Sequence, residues 1–223
     1  MKQQVKSYLK SLVVPNSIII EVGAHYGEDT VGFLRSLNPS RIHCFEPDPR
    51  NIFIFKKYVK DPNIFLYECA VSDKDEKQVD FHLSYIANFK PRLFDKYHWI
   101  DKKEYVNMKL NASGSSSFEK GRDMQVLNTV KIDTIRIDTW AEKNKIKHVD
   151  FMWIDVQGAE KKVVEGFGKL SINCVWIEFG ENTYKSYLGR QETIDLFSTI
   201  GFEVDEKYSD KDSKGDLLFW KRK

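Results

Sequence analysis

No apolar run in this chain approaches the roughly 20 residues that a helix needs to cross a bilayer. The N-terminal residues do not read as a signal peptide. Cysteine is scarce: Cys44, Cys69 and Cys174 are the only three, and none forms a C-x-x-C pair. They read as free, buried thiols, which fits a reducing, cytoplasmic setting. Charge is nearly balanced, at +2 over 223 residues, so no global pull toward nucleic acid or a membrane surface is expected. A basic-aromatic stripe of the kind that single-stranded nucleic acid requires is also lacking. Repeats and low-complexity segments are absent. The hydrophobic share of 41% is that of a globular chain, long enough for one domain with a sizeable core.

Four apolar runs each end in an acidic residue. Ser17-Ile18-Ile19-Ile20 ends at Glu21, Ile42-His43-Cys44-Phe45 at Glu46, Phe151-Met152-Trp153-Ile154 at Asp155, and Cys174-Val175-Trp176-Ile177 at Glu178. Short β-rich runs separated by helical stretches read as parallel strands buried on both faces. The periodicity predicts strands at 18–22, 42–45, 64–69, 151–154 and 175–177, with a closing hairpin from 202–204 and 217–220. The expected fold is α/β: one domain, residues 1–223, with a mostly parallel seven-stranded sheet and an antiparallel last strand. Val5, Tyr8, Leu9, Leu12 and Val13 predict an N-terminal helix within residues 1–16. The interval from strand three to strand four is too long for one crossover. Residues 74–130 are read as an insertion covering the ligand edge of the sheet. Open parallel sheets bind ligand beyond the carboxyl ends of their strands. A row of acids there predicts a ligand with hydroxyls and positive charge.

The first strand runs into Glu21-Val22-Gly23-Ala24-His25-Tyr26-Gly27. Its G-x-x-x-G spacing is not the G-x-G-x-x-G of dinucleotide enzymes, and no P-loop lysine follows. A nucleoside without a diphosphate is the better match, and S-adenosylmethionine is one: its ammonium suits Glu21, and its carboxylate suits backbone N–H groups of the turn. Glu46, presented by Pro47 and Pro49, is placed to accept both ribose hydroxyls, a device that nicotinamide enzymes share. Ala70 and Val71 leave room for an adenine ring, with Ser72 or Asp73 near its amine.

These motifs, together with Arg136-Ile137-Asp138-Thr139-Trp140 and Ile154-Asp155-Val156-Gln157-Gly158-Ala159-Glu160, occur in one order. The series resembles the FkbM family of S-adenosylmethionine-dependent methyltransferases over roughly residues 18–180. The resemblance implies a Rossmann-like class I methyltransferase fold and O-methylation of a hydroxyl on a glycan, lipo-oligosaccharide or polyketide. It puts Glu21, Gly23 and Gly27 on the methionine part, Glu46 on the ribose, and Ala70 and Val71 beside adenine, with Ala24 and Pro47 also expected to bind the cofactor. Many members carry lysine two places before the strand-four aspartate. Here that place is Trp153.

A sugar hydroxyl is a poor nucleophile near neutral pH, so a general base helps. Asp155, also expected to touch the cofactor, is the first choice and Glu178 the second, with His25 and His148 as outside candidates. The same two acids, with Asn182, are alternatively read as magnesium ligands. Glu160 is placed early in a helix. Ser115, Ser116 and Ser117, and the rings of Tyr85, Trp99, Tyr105 and Tyr184, are candidate contacts to cofactor or sugar. The reading is an S-adenosylmethionine-dependent O-methyltransferase acting on a sugar hydroxyl. Its rivals are a nicotinamide (NAD) oxidoreductase and a non-catalytic binding module.

Overall fold

The structure, a computed structural model, describes residues 8–10, 16–121, 125–180 and 184–222. In chain order the elements are β1 (Ile18–Val22), α1 (Glu28–Leu37), β2 (Arg41–Phe45), α2 (Pro49–Tyr58), β3 (Ile64–Tyr67), β4 (Ala70–Val71) and β5 (Val79–Tyr85). Then follow α3 (Pro91–Asp95), α4 (Lys102–Asn107), a 3-10 turn at Ser113–Ser115, β6 (Gln125–Ile132), β7 (Thr134–Ile135), α5 (Ile137–Lys143) and β8 (His148–Ile154). The chain closes with α6 (Glu160–Glu165), β9 (Ser171–Phe179), α7 (Arg190–Thr199), β10 (Phe202–Val204) and β11 (Gly215–Lys221).

Seven strands form one sheet in the order β10-β11-β9-β8-β1-β2-β3. β1, β2, β3, β8 and β9 pair in parallel, whereas β11 is antiparallel to both β9 and β10. The strand order reverses at β1, between β2 and β8, and this is where an open α/β sheet leaves a crevice. Both faces are covered, as the continuous apolar runs predict. Ile20, Val22, Met152, Ile154 and Val175 pack with Trp140, Val163 and Phe197 on one face. Ile19, Phe151, Trp153, Cys174 and Trp176 pack with Phe33, Leu37 and Leu9 on the other. The three cysteines are free.

Several boundaries differ from the sequence reading. β3 stops at Tyr67, not residue 69, and Ala70 and Val71 leave the main sheet to pair with Thr134 and Ile135. Strands four and five are longer than the apolar runs because polar ends, such as Ser171, continue their ladders. Tyr8–Lys10 is helical, with Leu9 buried, and the rest of the expected N-terminal helix falls outside the described residues. No helix among the described residues is long and apolar enough to cross a membrane.

The segment between β4 and β7 carries an antiparallel hairpin, β5 with β6. One buried side chain clamps this segment to the main fold. Arg50, in the first turn of α2, pairs with Asp48, which is 0% exposed, at 2.6 Å. The same guanidinium donates to the carbonyls of Lys109 (2.8 Å) and Ser84 (3.1 Å) and to Ser116 Oγ (3.1 Å). Ser116 Oγ in turn donates to Asp48 at 2.7 Å. Asp48 also caps α2 through the Arg50 N–H. The planar guanidinium, with its forked donors, satisfies all these acceptors at once.

Candidate active site

The register sets the acids side by side. Val22 lies opposite Phe45 and Ile154, and Ile154 opposite Ile177, so Glu46, Glu21, Asp155 and Glu178 all sit at the carboxyl ends of neighbouring strands. Beyond those ends lies a cavity of about 260 Å³. Glu21, Gly23, Ala24, Glu46, Pro47, Ala70, Val71 and Asp155 all line it, as does Trp153, which stacks on Trp176 behind it.

Gly23 sits where β1 meets β8. Its φ is +87°, and a Cβ there would lie 1.8 Å from the Asp155 carbonyl oxygen, so no side chain fits. Gly27 differs from its sequence assignment to the methionine part of a cofactor. It is not among the lining residues; it sits at the N-terminus of α1, packed on Phe55 and Val59 of the neighbouring helix. Ligand approach and helix packing both demand a glycine, and spacing alone does not separate them. The turn's backbone is also fully engaged. Gly23 and Ala24 N–H donate to the Phe45 carbonyl, His25 N–H to Glu46, Tyr26 N–H to Glu28 and Gly27 N–H to the Ala24 carbonyl. Every donor from 23 to 27 is spent within the protein, which corrects the expectation that they are free for a carboxylate.

Glu21 is 1% exposed and accepts from Thr30 Oγ1 and, at 3.7 Å, from Cys44. Burial pushes its carboxyl well above the usual range, and these two donors only partly oppose that. Glu46 accepts from the backbone N–H of His25 and of Asp48, both at 2.8 Å, and from Asn51 Nδ2 at 3.2 Å. Burial and the neighbouring Asp48 charge push it up to about 7. Asn51 lines the cavity too, and its buried Oδ1 has no hydrogen-bond partner. Desolvation would lower the His25 pKa, but Glu28, Glu46 and Asp48 outweigh it and hold the imidazole above its ordinary value. That ring is fully engaged, with Nδ1 2.8 Å from Glu28 and Nε2 3.3 Å from Ser113. His148 stands at the amino end of β8, the opposite edge of the sheet from the cavity, which removes it as a base.

Asp155 and Glu178 are joined by one amide. Gln157 Nε2 donates to Asp155 Oδ1 at 2.5 Å and to Glu178 Oε2 at 2.9 Å, and Tyr187 donates to the same Glu178 oxygen at 2.7 Å. Burial raises both carboxyls; Glu178, facing the Asp155 charge, reaches about 9. Glu178 lies outside the cavity lining, one step behind Asp155. Glu160 is used structurally: it accepts from the N–H of Val156 and of Gly158 and holds the loop after β8, with burial pushing it up to about 8. Among the described residues no three His, Cys, Asp or Glu side chains converge as a metal group, and Asn182 falls outside the described residues.

The segment at 74–130 supplies residues that sequence reading missed. Phe81, Lys96, Tyr97, Ser113 and Phe118 all line the cavity. Of the serines singled out, Ser116 lines it while Ser117 donates to the Gln157 carbonyl. Ser72 and Asp73 bond each other and do not line it. Tyr105 is core, and the Tyr184 hydroxyl is spent on the Ser115 carbonyl. Tyr85 donates to the Ala87 carbonyl, and Trp99 packs edge-on against Tyr26 and Tyr58. Asn51 was detectable as a polar residue on the otherwise apolar Ile52–Phe55 face of a helix. The others had no local signal.

These buried acids make stability pH-dependent. Raised carboxyl pKa values mean that the native state holds protons the unfolded chain has released, so stability falls as pH rises through that window. Glu46 (about 7), Glu160 (about 8) and Glu178 (about 9) place it between the ordinary carboxyl range and pH 9. His43, pushed down to about 4 by burial, works the other way only below about pH 6.5. The melting temperature is therefore expected to decline from about pH 6.5 to pH 9, and Glu178→Gln to flatten the upper part. A midpoint that holds or rises over that range contradicts the assignment.

The fold and its acid-edged crevice define a Rossmann-like methyltransferase. The crystal structure of methyltransferase FkbM from Methylobacillus flagellatus superposes with a TM-score of 0.51 at 13% identity over 96% of this chain, which spans 50% of that longer one. The methyltransferase FkbM domain matches residues 21–206, and the chain belongs to that family. It is also 25% identical over 209 residues to the 2-O-methyltransferase NoeI of Sinorhizobium fredii, covering 92% of this chain and 79% of that protein.

Proposed function

We propose that the protein methylates a hydroxyl, most readily that of a sugar in a glycan or glycolipid, with S-adenosylmethionine as donor. The observation that carries this reading is the convergence of Glu21, Glu46 and Asp155 on one cavity at the strand-order reversal. The residues present fit the cofactor. Five carboxylates, those of Glu21, Glu28, Asp29, Glu46 and Asp155, line a cavity suited to a cationic ligand. Asn51 brings an unsatisfied buried acceptor beside Glu46, where ribose hydroxyls would find two. Val71, Phe81 and Phe118 offer an apolar slot for adenine. When bound, S-adenosylmethionine supplies an electrophilic methyl group together with its own leaving group.

The protein's part is to position the acceptor hydroxyl and take its proton. Asp155 lines the cavity and Glu178 stands behind it, so Asp155 is the base and Glu178, through Gln157, sets its charge state. The Gln157 amide donor bridges the two carboxylates. Transfer to an oxygen is supported by the likeness to NoeI, whose name specifies 2-O-methylation.

The ribose assignment has a direct test. Hydrogen bonds to a charged acceptor contribute about 1.5–3 kcal/mol, so Glu46→Gln is expected to weaken S-adenosylmethionine binding about 10- to 100-fold in calorimetry. Unchanged affinity, or wild-type binding of NAD in its place, removes this reading.

A further inference from the structure

We propose that Lys96 is the anchor for the α-carboxylate of the cofactor's amino-acid end. This inference rests on the reading of the cavity as an S-adenosylmethionine site. That ligand carries two cationic groups, a sulfonium and an ammonium, and one anionic group, a carboxylate. The cavity is built for the cations, with five carboxylates on its wall. The same wall repels the carboxylate, which needs a donor of its own.

The glycine turn does not provide it, because each N–H from Gly23 to Gly27 already has an acceptor in the protein. His25 is spent on Glu28 and Ser113. Among the described lining residues Lys96 is the one lysine or arginine. Its ammonium makes no ion pair or hydrogen bond with any described residue. An unpaired cation facing an acidic cavity is a feature that a zwitterionic ligand explains.

Its placement is not accidental to the fold. Lys96 is the C-cap of α3, and the next residue, Tyr97, packs edge-on against His25 (5.5 Å) and Tyr26 (5.0 Å) and hydrogen-bonds Glu28. The insertion thus delivers the lysine to the cavity wall next to Tyr97, which holds the β1–α1 turn. That turn marks the end that the methionine part occupies if ribose lies at Glu46.

The test compares two nucleosides by calorimetry: S-adenosylhomocysteine, which has the carboxylate, and 5′-methylthioadenosine, which lacks the amino acid. Lys96→Gln is expected to weaken S-adenosylhomocysteine at least about tenfold and to leave methylthioadenosine within about twofold, the loss of one charge-assisted contact. The melting temperature stays unchanged, because Lys96 is exposed and supports no ion pair. Equal affinity of S-adenosylhomocysteine for both proteins overturns the proposal, and so does an equal loss for methylthioadenosine. Unaltered nucleoside binding with a raised KM for the acceptor assigns the lysine to an anion on the acceptor and also overturns it. Wild-type protein that binds neither nucleoside overturns the reading of the cavity and this inference together, whereas wild-type binding that Lys96→Gln leaves untouched overturns this inference alone.

Discussion

Asp155→Asn is expected to lower turnover by about 10²- to 10⁴-fold, the span typical of removing a general base, while leaving cofactor affinity within a few fold. The substitution keeps the shape of the side chain and an oxygen for the Gln157 amide, which bonds Asp155 at 2.5 Å, so the loop after β8 is retained. What is lost is the negative charge that takes the hydroxyl proton. The pH profile adds a second reading. In the wild-type protein, burial raises Asp155 above its ordinary 3.8, and Glu178 sits at about 9 under the influence of burial and the Asp155 charge. The pair behaves as one unit that shares a proton across the neutral range. A base must be unprotonated, so turnover rises with pH, and its acid limb lies above the usual carboxylate range. In the Asp155→Asn variant the coulombic push on Glu178 disappears, and its pKa falls. Burial, the larger cause, still holds Glu178 above the ordinary carboxyl range, so residual activity through Glu178 keeps its acid limb above that range. If Glu178→Gln costs more turnover than Asp155→Asn, the two roles are exchanged.

Arg50→Ala is expected to be the most damaging single change to stability. It leaves Asp48 buried and unpaired and strips donors from the Ser84 and Lys109 carbonyls. Breaking a buried pair in this way costs about 3–5 kcal/mol. In a domain of this size that corresponds to a fall of roughly 6–20 °C in melting temperature. Arg50→Lys rescues little, since a single ammonium cannot reach both carbonyls and the carboxylate in the same geometry. The double change Asp48→Asn with Arg50→Met is expected to recover part of the loss, because no uncompensated charge remains. The consequence extends to the ligand. Ser116 and Phe81 line the cavity from the segment that this arginine clamps, so cofactor affinity falls along with stability. A melting temperature within about 2 °C of wild type contradicts this account of the clamp.

The sheet was readable from the sequence because parallel strands buried on both faces leave uninterrupted apolar runs. Their ends are conspicuous when an acid follows, as at Glu21, Glu46 and Asp155. Adjacency of these acids then followed from strand order alone. Other parts of the site had no such signature. Arg50 meets Ser84, Lys109 and Ser116 at sequence separations of 34, 59 and 66 residues, and no local pattern encodes those meetings. Phe81 reads as one residue of an alternating strand, and Lys96 as one lysine in a lysine-rich stretch. Only the folded hairpin and the packing of Tyr97 against His25 bring them to the cavity. Gly27 misleads for a different reason. A positive φ at a helix start serves packing against Phe55 as well as it would serve a ligand. Gln157 stood in a recognised motif, but its bridging of two carboxylates depends on its own φ of 54°.

The central claim is that the acids at the carboxyl edge hold a nucleoside-bearing sulfonium with its ribose on Glu46. A crystal structure of the protein with S-adenosylhomocysteine tests it most directly. The account predicts both ribose hydroxyls within about 3 Å of Glu46 or Asn51, and adenine between Val71 and Phe118. A nucleoside bound elsewhere, or turned so that its ribose avoids Glu46, contradicts it.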